Sequence, residues 1–250
     1  MKFYKSINPD VIAVAGTWDP LLPRHTALFK NLLRHSRKKG LNPYLLMFYP
    51  TPANHLHQNF YKDYFDPDAR IALFKRLGIH NVVLLDFNQD DLRRGTGEFF
   101  DELAKNTGIT LAEFWVGENQ SLGRAPQGLL SIGPECAARN IKLRTLKNSF
   151  LVSLDKDAVY RNFNQGNFEA TAAIIGYFPT YKLKGDLQVN MHEGVYDARL
   201  RMAPFDATNE LPVTVKISDD HLRDFEKPAE YDWLVLVKRV DQPKGETELS

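Results

Sequence analysis

An apolar run, Val11 to Ala15, breaks at Gly16 into Thr17-Trp18-Asp19-Pro20-Leu21-Leu22-Pro23-Arg24-His25, and a helical pattern follows at once. Five apolar residues bounded by a glycine read as a buried strand. Thr26 to Lys39 then repeats Ala27, Leu28, Leu32 and Leu33 on one face. Arg34, Arg37, Lys38 and Lys39 gather near its end, before Gly40, which is the charge and cap placement that a helix C-terminus favours. A buried strand feeding such a turn and helix is where nucleotide-binding α/β proteins place their chemistry. His25 falls in the first turn of that helix, beside backbone N–H groups that attract phosphate. It reads equally well as a polar helix-start residue.

The alternation continues along the chain. Tyr44 to Tyr49 is an apolar strand that stops at Pro50 and Pro52. Asp66 followed by Pro67 caps a helix carrying Ile71, Phe74 and Leu77 up to Gly78. Asn81 to Phe87 is a third strand, Thr96 caps a helix with Phe99, Phe100 and Leu103, and Leu111 to Val116 is a fourth strand. A helix over 128–139 and a strand over 141–146 complete the set. Continuous apolar strands predict an α/β, doubly wound parallel sheet covered on both faces, occupying residues 1–150. Ala158 to Ile175 reads as one helix ending at Gly176, within a helical linker over 151–177. Short strands that alternate apolar and polar residues follow at 181–184, 195–200, 213–217 and 233–237. They predict a smaller antiparallel β module over 178–241, with a polar flexible tail over 242–250.

With 250 residues, 43% of them hydrophobic, the chain has material for a proper core. Thirty-two Lys and Arg against 31 Asp and Glu leave a formal charge of +1, so no global field favours nucleic acid or an anionic membrane. Neither partner is expected, and an anionic ligand must be met locally. The lone Cys136 excludes an internal disulfide framework and reads as a buried thiol. The first residues lack a signal-peptide core and no apolar run reaches membrane-span length, so a cytoplasmic protein is expected.

The segment Gly16-Thr17-Trp18-Asp19-Pro20-Leu21-Leu22-Pro23-Arg24-His25 resembles the Gly-Asn-Phe-Asp-Gly-x-His-x-Gly-His turn of the bacterial bifunctional riboflavin kinase/FMN adenylyltransferases, the FAD synthetases. Further segments are similar in the same order. Val116-Gly117-Glu118-Asn119-Gln120-Ser121-Leu122-Gly123 resembles the family's Val-Gly-x-Asp-Phe-x-Phe-Gly. Gln165 to Ala170 resembles its linker helix. Glu193-Gly194-Val195-Tyr196 and Asp219 to Phe225 resemble its flavokinase segments Gly-Val-Tyr and Glu-x-His-Leu-x-Asp-Phe. The resemblance implies a sheet of the HIGH-type nucleotidyltransferase kind followed by a β-barrel-like flavokinase module. It also implies ATP, Mg2+ and FMN or FAD as ligands, and a small flavin or nucleotide-like molecule as partner.

Several positions depart from the family pattern. The first histidine of the turn, which holds triphosphate oxygens in the family, is Leu22 here, with no donor to offer. The glycine that admits the nucleotide is Arg24, bulky and permanently charged. The family's Ser-Ser-Thr-x-x-Arg helix start corresponds to residues from Asp155 to Tyr160, with Arg161 displaced by one place, and Asp155 and Asp157 would repel a polyphosphate. Only eight residues separate Gly185 from Gly194, where the family carries a Gly-x-Pro-Thr-Ala-Asn loop that holds magnesium nucleotide. The kinase base maps to Asp219, one methylene shorter than the family's Glu. These departures predict loss of riboflavin phosphorylation and a weakened or repurposed adenylyl transfer.

The candidate catalytic residues are His25 and Asp19. Candidate ligand-binding residues are Gly16, Thr17, Trp18, Arg24, Tyr49, Asn54, His55, His57, Gly117, Asn119, Arg124 and Arg161. Alternative readings stand beside these. Asp19 suits a turn residue bonding backbone N–H groups, and Trp18 and Tyr49 suit core packing as well as stacking on a flat ring. His55 and His57 share a side if extended, so with His25 a metal site is conceivable, and no metal is assigned.

Overall fold

The computed structural model describes residues 10–49, 63–86, 94–117, 129–146, 156–185, 188–189 and 191–241. The chain separates into two compact units, one of Met1–Trp18, Arg24–Gln58 and Phe74–Val152, the other of Asp19–Pro23, Asn59–Leu73 and Ser153–Ser250.

The first unit is built on β1 (Val11–Gly16), β2 (Asn42–Tyr49), β3 (Asn81–Asp86), β4 (Leu111–Gly117) and β5 (Lys142–Leu146), all parallel in the order β3-β2-β1-β4-β5. Its helices include α1 (Pro23–Lys39), whose first residue falls in the second unit, α3 (Thr96–Thr107) and α4 (Leu129–Ala138); α2 (Pro67–Arg76) has its first seven residues in the second unit and its last three in the first. β1 is central and almost wholly buried, which is why it reads as an unbroken apolar run. Val11, Ala13 and Ala15 share a core with Phe100, Leu103, Phe114, Val116 and Ile132. Strand order reverses between β1 and β4. Ligands of open α/β sheets bind outside the carboxyl ends of the strands at such a reversal.

The second unit carries α5 (Lys156–Asn164), α6 (Phe168–Ile175) and an antiparallel, curled five-stranded sheet of the barrel-like kind. Its strands are β6 (Thr180–Lys182), β7 (Gly194–Arg201), β8 (Leu211–Ser218), β9 (His221–Arg223) and β10 (Trp233–Arg239), in the order β6-β10-β7-β8-β9. Alternate residues of β7, Tyr196, Ala198 and Leu200, face inward, the period expected of a half-buried strand. The Ser218 to His221 connection places Asp219 and Asp220 both at positive φ, the geometry of a two-residue hairpin loop.

Three local expectations are revised. α1 begins at Pro23 rather than Thr26, with proline in the first helical position where its missing N–H is no loss. The cap of α3 is Gly95, not Thr96; the Glu98 carboxylate accepts the Gly95 N–H at 3.0 Å. The single helix expected over 158–175 is two. Gly166 sits at φ +72° between them, and the Asn167 side chain opens α6 by accepting from the Ala170 N–H. A Cβ on Gly166 would lie 2.4 Å from the Arg239 Cβ, so the close approach of β10 leaves room only for glycine at the break.

Candidate functional site

Gly16, Tyr49 and Gly117 are the last residues of β1, β2 and β4, so the parallel sheet brings them to one edge. Thr17 and Trp18 continue from β1, and Arg24 and His25 stand in the first turn of α1. That turn holds no acidic residue, so nothing within the helix neutralises the positive end of its dipole. Among the described residues, a Cβ on Gly117 would meet nothing within 4 Å.

At the end of β1 the space is taken by Trp18. Its backbone is left-handed, φ 57°, and its side chain folds back over the strand it has just left. A Cβ on Gly16 would come within 2.7 Å of the indole Cε2 and Cζ2, so only glycine admits the ring. The indole is 6% exposed and meets His25 and Phe29 edge-on, at centroid distances of 5.3 and 5.1 Å. This is core packing rather than a ring presented for stacking. Among the described residues its Nε1–H has no acceptor. Beside it the Arg24 Nε–H donates to His25 Nε2 at 3.4 Å, so in this arrangement that nitrogen is an acceptor and does not offer a proton.

Asp19 belongs to the second unit. Its two carboxylate oxygens accept the Tyr64 and Phe65 backbone N–H groups at 2.7 and 3.0 Å, and its own carbonyl accepts the Tyr160 hydroxyl at 3.0 Å. Burial pushes its carboxyl up to about 7; the Arg70 guanidinium and the two N–H bonds oppose this, and the Asp63 charge adds to it. Arg70, fully buried, lies with Nη2 3.5 Å from Asp63 Oδ1. The structure thus gives Asp19 the turn-bonding role that was one of its two readings. Arg161 is an exposed residue of α5, also in the second unit. Asn54, His55, His57, Asn119 and Arg124 lie outside the described residues, and so does the suggested His55/His57 metal pair. Among the described residues no group of three His, Cys, Asp or Glu could hold a metal ion.

Two buried polar clusters were not anticipated. One is the Asp19, Asp63 and Arg70 group. Arg70 sits three and four residues before the buried Leu73 and Phe74, so helical spacing already places it on the inward face of α2. The other centres on Glu113 of β4. Its Oε2 lies 2.9 Å from Arg144 Nε, 3.3 Å from Trp115 Nε1 and 3.0 Å from His35 Nε2. Burial raises this carboxyl, but the Trp115 and Arg144 bonds and the cationic neighbours outweigh it and hold it below the usual range. Glu113 pairs with Ile12 near the start of β1, so this cluster lies away from the carboxyl edge and braces the sheet.

The donor set at the edge does not fit Mg-ATP in the manner the resemblance implies. Leu22 is apolar and 2% exposed, and Arg24 is already bonded to the one histidine the turn retains. The first turn of α1 presents the Arg24 guanidinium and no acid, a setting that favours an anionic group.

A doubly wound parallel sheet whose strand order reverses at a Gly-terminated β1 and a basic helix start, joined to an antiparallel module, defines a protein of the nucleotidyltransferase-like α/β class. The FAD synthetase family model matches residues 5–150, more than half of the chain, and the chain belongs to that family. No relative is found among curated proteins. Among solved structures the chain resembles the crystal structure of a macrolide-efflux protein from Streptococcus pneumoniae, with a TM-score of 0.67 and 14% identity, over 98% of this chain and 90% of that one. At that identity the likeness concerns the fold alone.

Proposed function

We propose that this chain is a divergent FAD-synthetase-type protein of the cytoplasm that holds a flavin or nucleotide-type ligand at the carboxyl edge of its parallel sheet, with ATP-dependent adenylyl transfer to FMN weakened or replaced by another role. The observation that carries the proposal is the Arg24 to His25 contact. Where the family keeps a glycine, a guanidinium occupies the approach to the nucleotide and engages the imidazole that would otherwise donate to phosphate. Removing one preorganised donor of this kind costs about 3 to 4 kcal/mol, a hundred- to thousandfold in rate. Leu22 removes a second. The absence of an acid in the first turn of α1 and of any described neighbour within 4 Å of a Cβ on Gly117 supports retention of ligand binding.

In this reading the second unit is a reduced flavokinase-like module without riboflavin kinase activity. Asp219, at the position of the family's base, is in a tight hairpin turn, with its carboxylate 3.0 Å from Arg223 Nη2. A base committed to a neighbouring guanidinium is a poor acceptor for a riboflavin hydroxyl proton.

Retention of His25 favours a second reading, an active FMN adenylyltransferase. Incubation of the purified protein with FMN and Mg-ATP, and separately with riboflavin and Mg-ATP, separates the two when product formation is followed beside a thermal-shift series with FMN, FAD and ADP. The proposal expects a ligand-induced rise in melting temperature with little or no FAD or FMN formed. Brisk FAD formation abolished by His25→Ala overturns it. Silence in both assays leaves a structural, partner-binding protein in which Trp18 and Leu22 have filled the ancestral hollow.

A further inference from the structure

The formal charge of +1 is unevenly divided along the chain. Residues of the first unit include eighteen Lys and Arg against ten Asp and Glu, and those of the second fourteen against twenty-one, which restores the totals of 32 and 31. The first unit is therefore +8 and the second −7. Much of the positive excess sits on α1, whose 17 residues hold six Lys and Arg and no Asp or Glu. Phe29, Leu32 and Ser36 are its buried residues. Its exposed residues are Lys30, Asn31, Arg34, Arg37, Lys38 and Lys39. Lys30, Arg34 and Lys38 recur every four residues, so they stand in a row with steps of about 6 Å, and Arg37 lies beside that row. Asn31 Oδ1 accepts from Arg34 Nη2 at 2.8 Å. Among the described residues none of the five exposed cations meets a carboxylate. Elsewhere surface cations are matched, as Arg139 is by Asp101 and Glu135, and Arg199 by Glu210.

We infer that the outer face of α1 binds the phosphate backbone of duplex nucleic acid, by charge and without reading sequence. The near-zero total charge describes the field at a distance, whereas phosphates within a Debye length, about 10 Å at 0.1 M salt, meet α1 itself. The occupant follows from what the face lacks. A protein partner needs an apolar or aromatic centre to bury, and none of the exposed residues of α1 supplies one. A helix that lies on a membrane inserts an apolar face, and here Phe29 and Leu32 are already buried in the protein. Single strands are held largely by bases stacking on aromatic rings, and α1 exposes none. A duplex asks only for cations. It carries one negative charge per about 1.7 Å of axis, and release of its condensed counterions drives the binding. Asn31, the one exposed side chain of α1 able to read a base edge, is engaged by Arg34, so no sequence preference is expected. None of the five cations belongs to the candidate ligand site, and the inference does not depend on the proposed function.

The test is fluorescence anisotropy of a labelled DNA duplex of about 20 base pairs with the full chain, across a salt series. With four or five phosphates neutralised, log K should fall against log salt with a slope of about −4, so affinity drops about 100- to 500-fold between 50 and 200 mM. Two duplexes of unrelated sequence should bind alike. Arg34→Gln with Lys38→Gln should lower affinity at least tenfold at 50 mM salt and make the slope shallower by about two. Both positions are exposed and unpaired with any acid, so the melting temperature should not change, and the loss is then one of binding. Lys216→Gln, which removes an exposed cation of the second unit, should alter neither affinity nor slope. A single strand of the same length, vesicles containing about 30% phosphatidylserine and polyglutamate serve as competitors. No duplex binding at 50 mM salt, a slope that the double variant leaves unchanged, or displacement by any of these competitors as effective as by unlabelled duplex at equal charge, overturns the inference.

Discussion

Replacing Arg70 by methionine removes a cation from a place where two carboxyl groups depend on it. Arg70 has no exposed surface, Asp63 is 3% exposed and 3.5 Å away, and Asp19 is held down by the same guanidinium. Methionine keeps most of the side-chain length, so the loss is chiefly electrostatic. Breaking a buried pair by removing one partner costs about 3 to 5 kcal/mol, because the remaining charge stays desolvated. With a urea slope of about 2 kcal/mol/M, the midpoint of the transition should fall by about 1.5 to 2.5 M. The pH dependence follows from Asp19. Its value in the folded chain, about 7, lies above the ordinary 3.8, so its contribution is most favourable below about pH 4, declines as pH rises to 7 and is level beyond. Removing Arg70, which opposes that rise, moves the folded value higher still, and the decline continues past pH 7. The gap between wild type and Arg70→Met should therefore widen from pH 6 to pH 8 in urea titrations followed by circular dichroism. Adding Asp63→Asn should recover part of the loss at pH 8. A gap below about 1 kcal/mol, or one that does not change with pH, would show that Arg70 does not compensate these carboxyls.

Trp18→Ala should cost about 3 to 5 kcal/mol in chemical unfolding, since it empties a ring site walled by Phe29, His25 and the backbone at Gly16. Glu113→Gln should destabilise the protein by about 1 to 3 kcal/mol at neutral pH through its lost charge-assisted bonds to Arg144 and His35. Because the Glu113 carboxyl is held below its usual range, wild type loses the same stabilisation as pH falls through the folded value, so the two melting curves should converge in acid. Leu22→His with Arg24→Gly, which restores the family pattern at both positions, should raise FAD formation from FMN and Mg-ATP at least tenfold by chromatographic assay, while lowering the melting temperature because Leu22 is 2% exposed.

What was legible in the sequence was what short stretches of chain decide for themselves. Val11 to Gly16 announced a central strand because burial on both faces demands apolar residues throughout, and Asp66 with Pro67 announced a helix start whose cap forms as expected, with Asp66 Oδ1 accepting the Ala69 N–H at 2.6 Å. The cluster of Gly16, Trp18, Arg24 and His25 is likewise local, and reading it as one corner needed only the strand-turn-helix pattern. Why only glycine fits at position 166 was not legible, because Arg239 arrives from far along the chain and crowds the position where a side chain would stand. Nor were the partners of Asp19. The turn-bonding role was one of its two readings, but nothing near it in sequence reveals that its oxygens accept from the 64–65 backbone. Each Asp19 oxygen accepts one N–H within the second unit, and the Arg24 Nε–H donates to His25 Nε2 within the first, so both retained motif letters are engaged by neighbours. Under the proposed function Arg24 both stands where the family keeps a glycine and engages His25, so adenylyl transfer is expected to respond to Arg24 and Leu22 together more than to either alone.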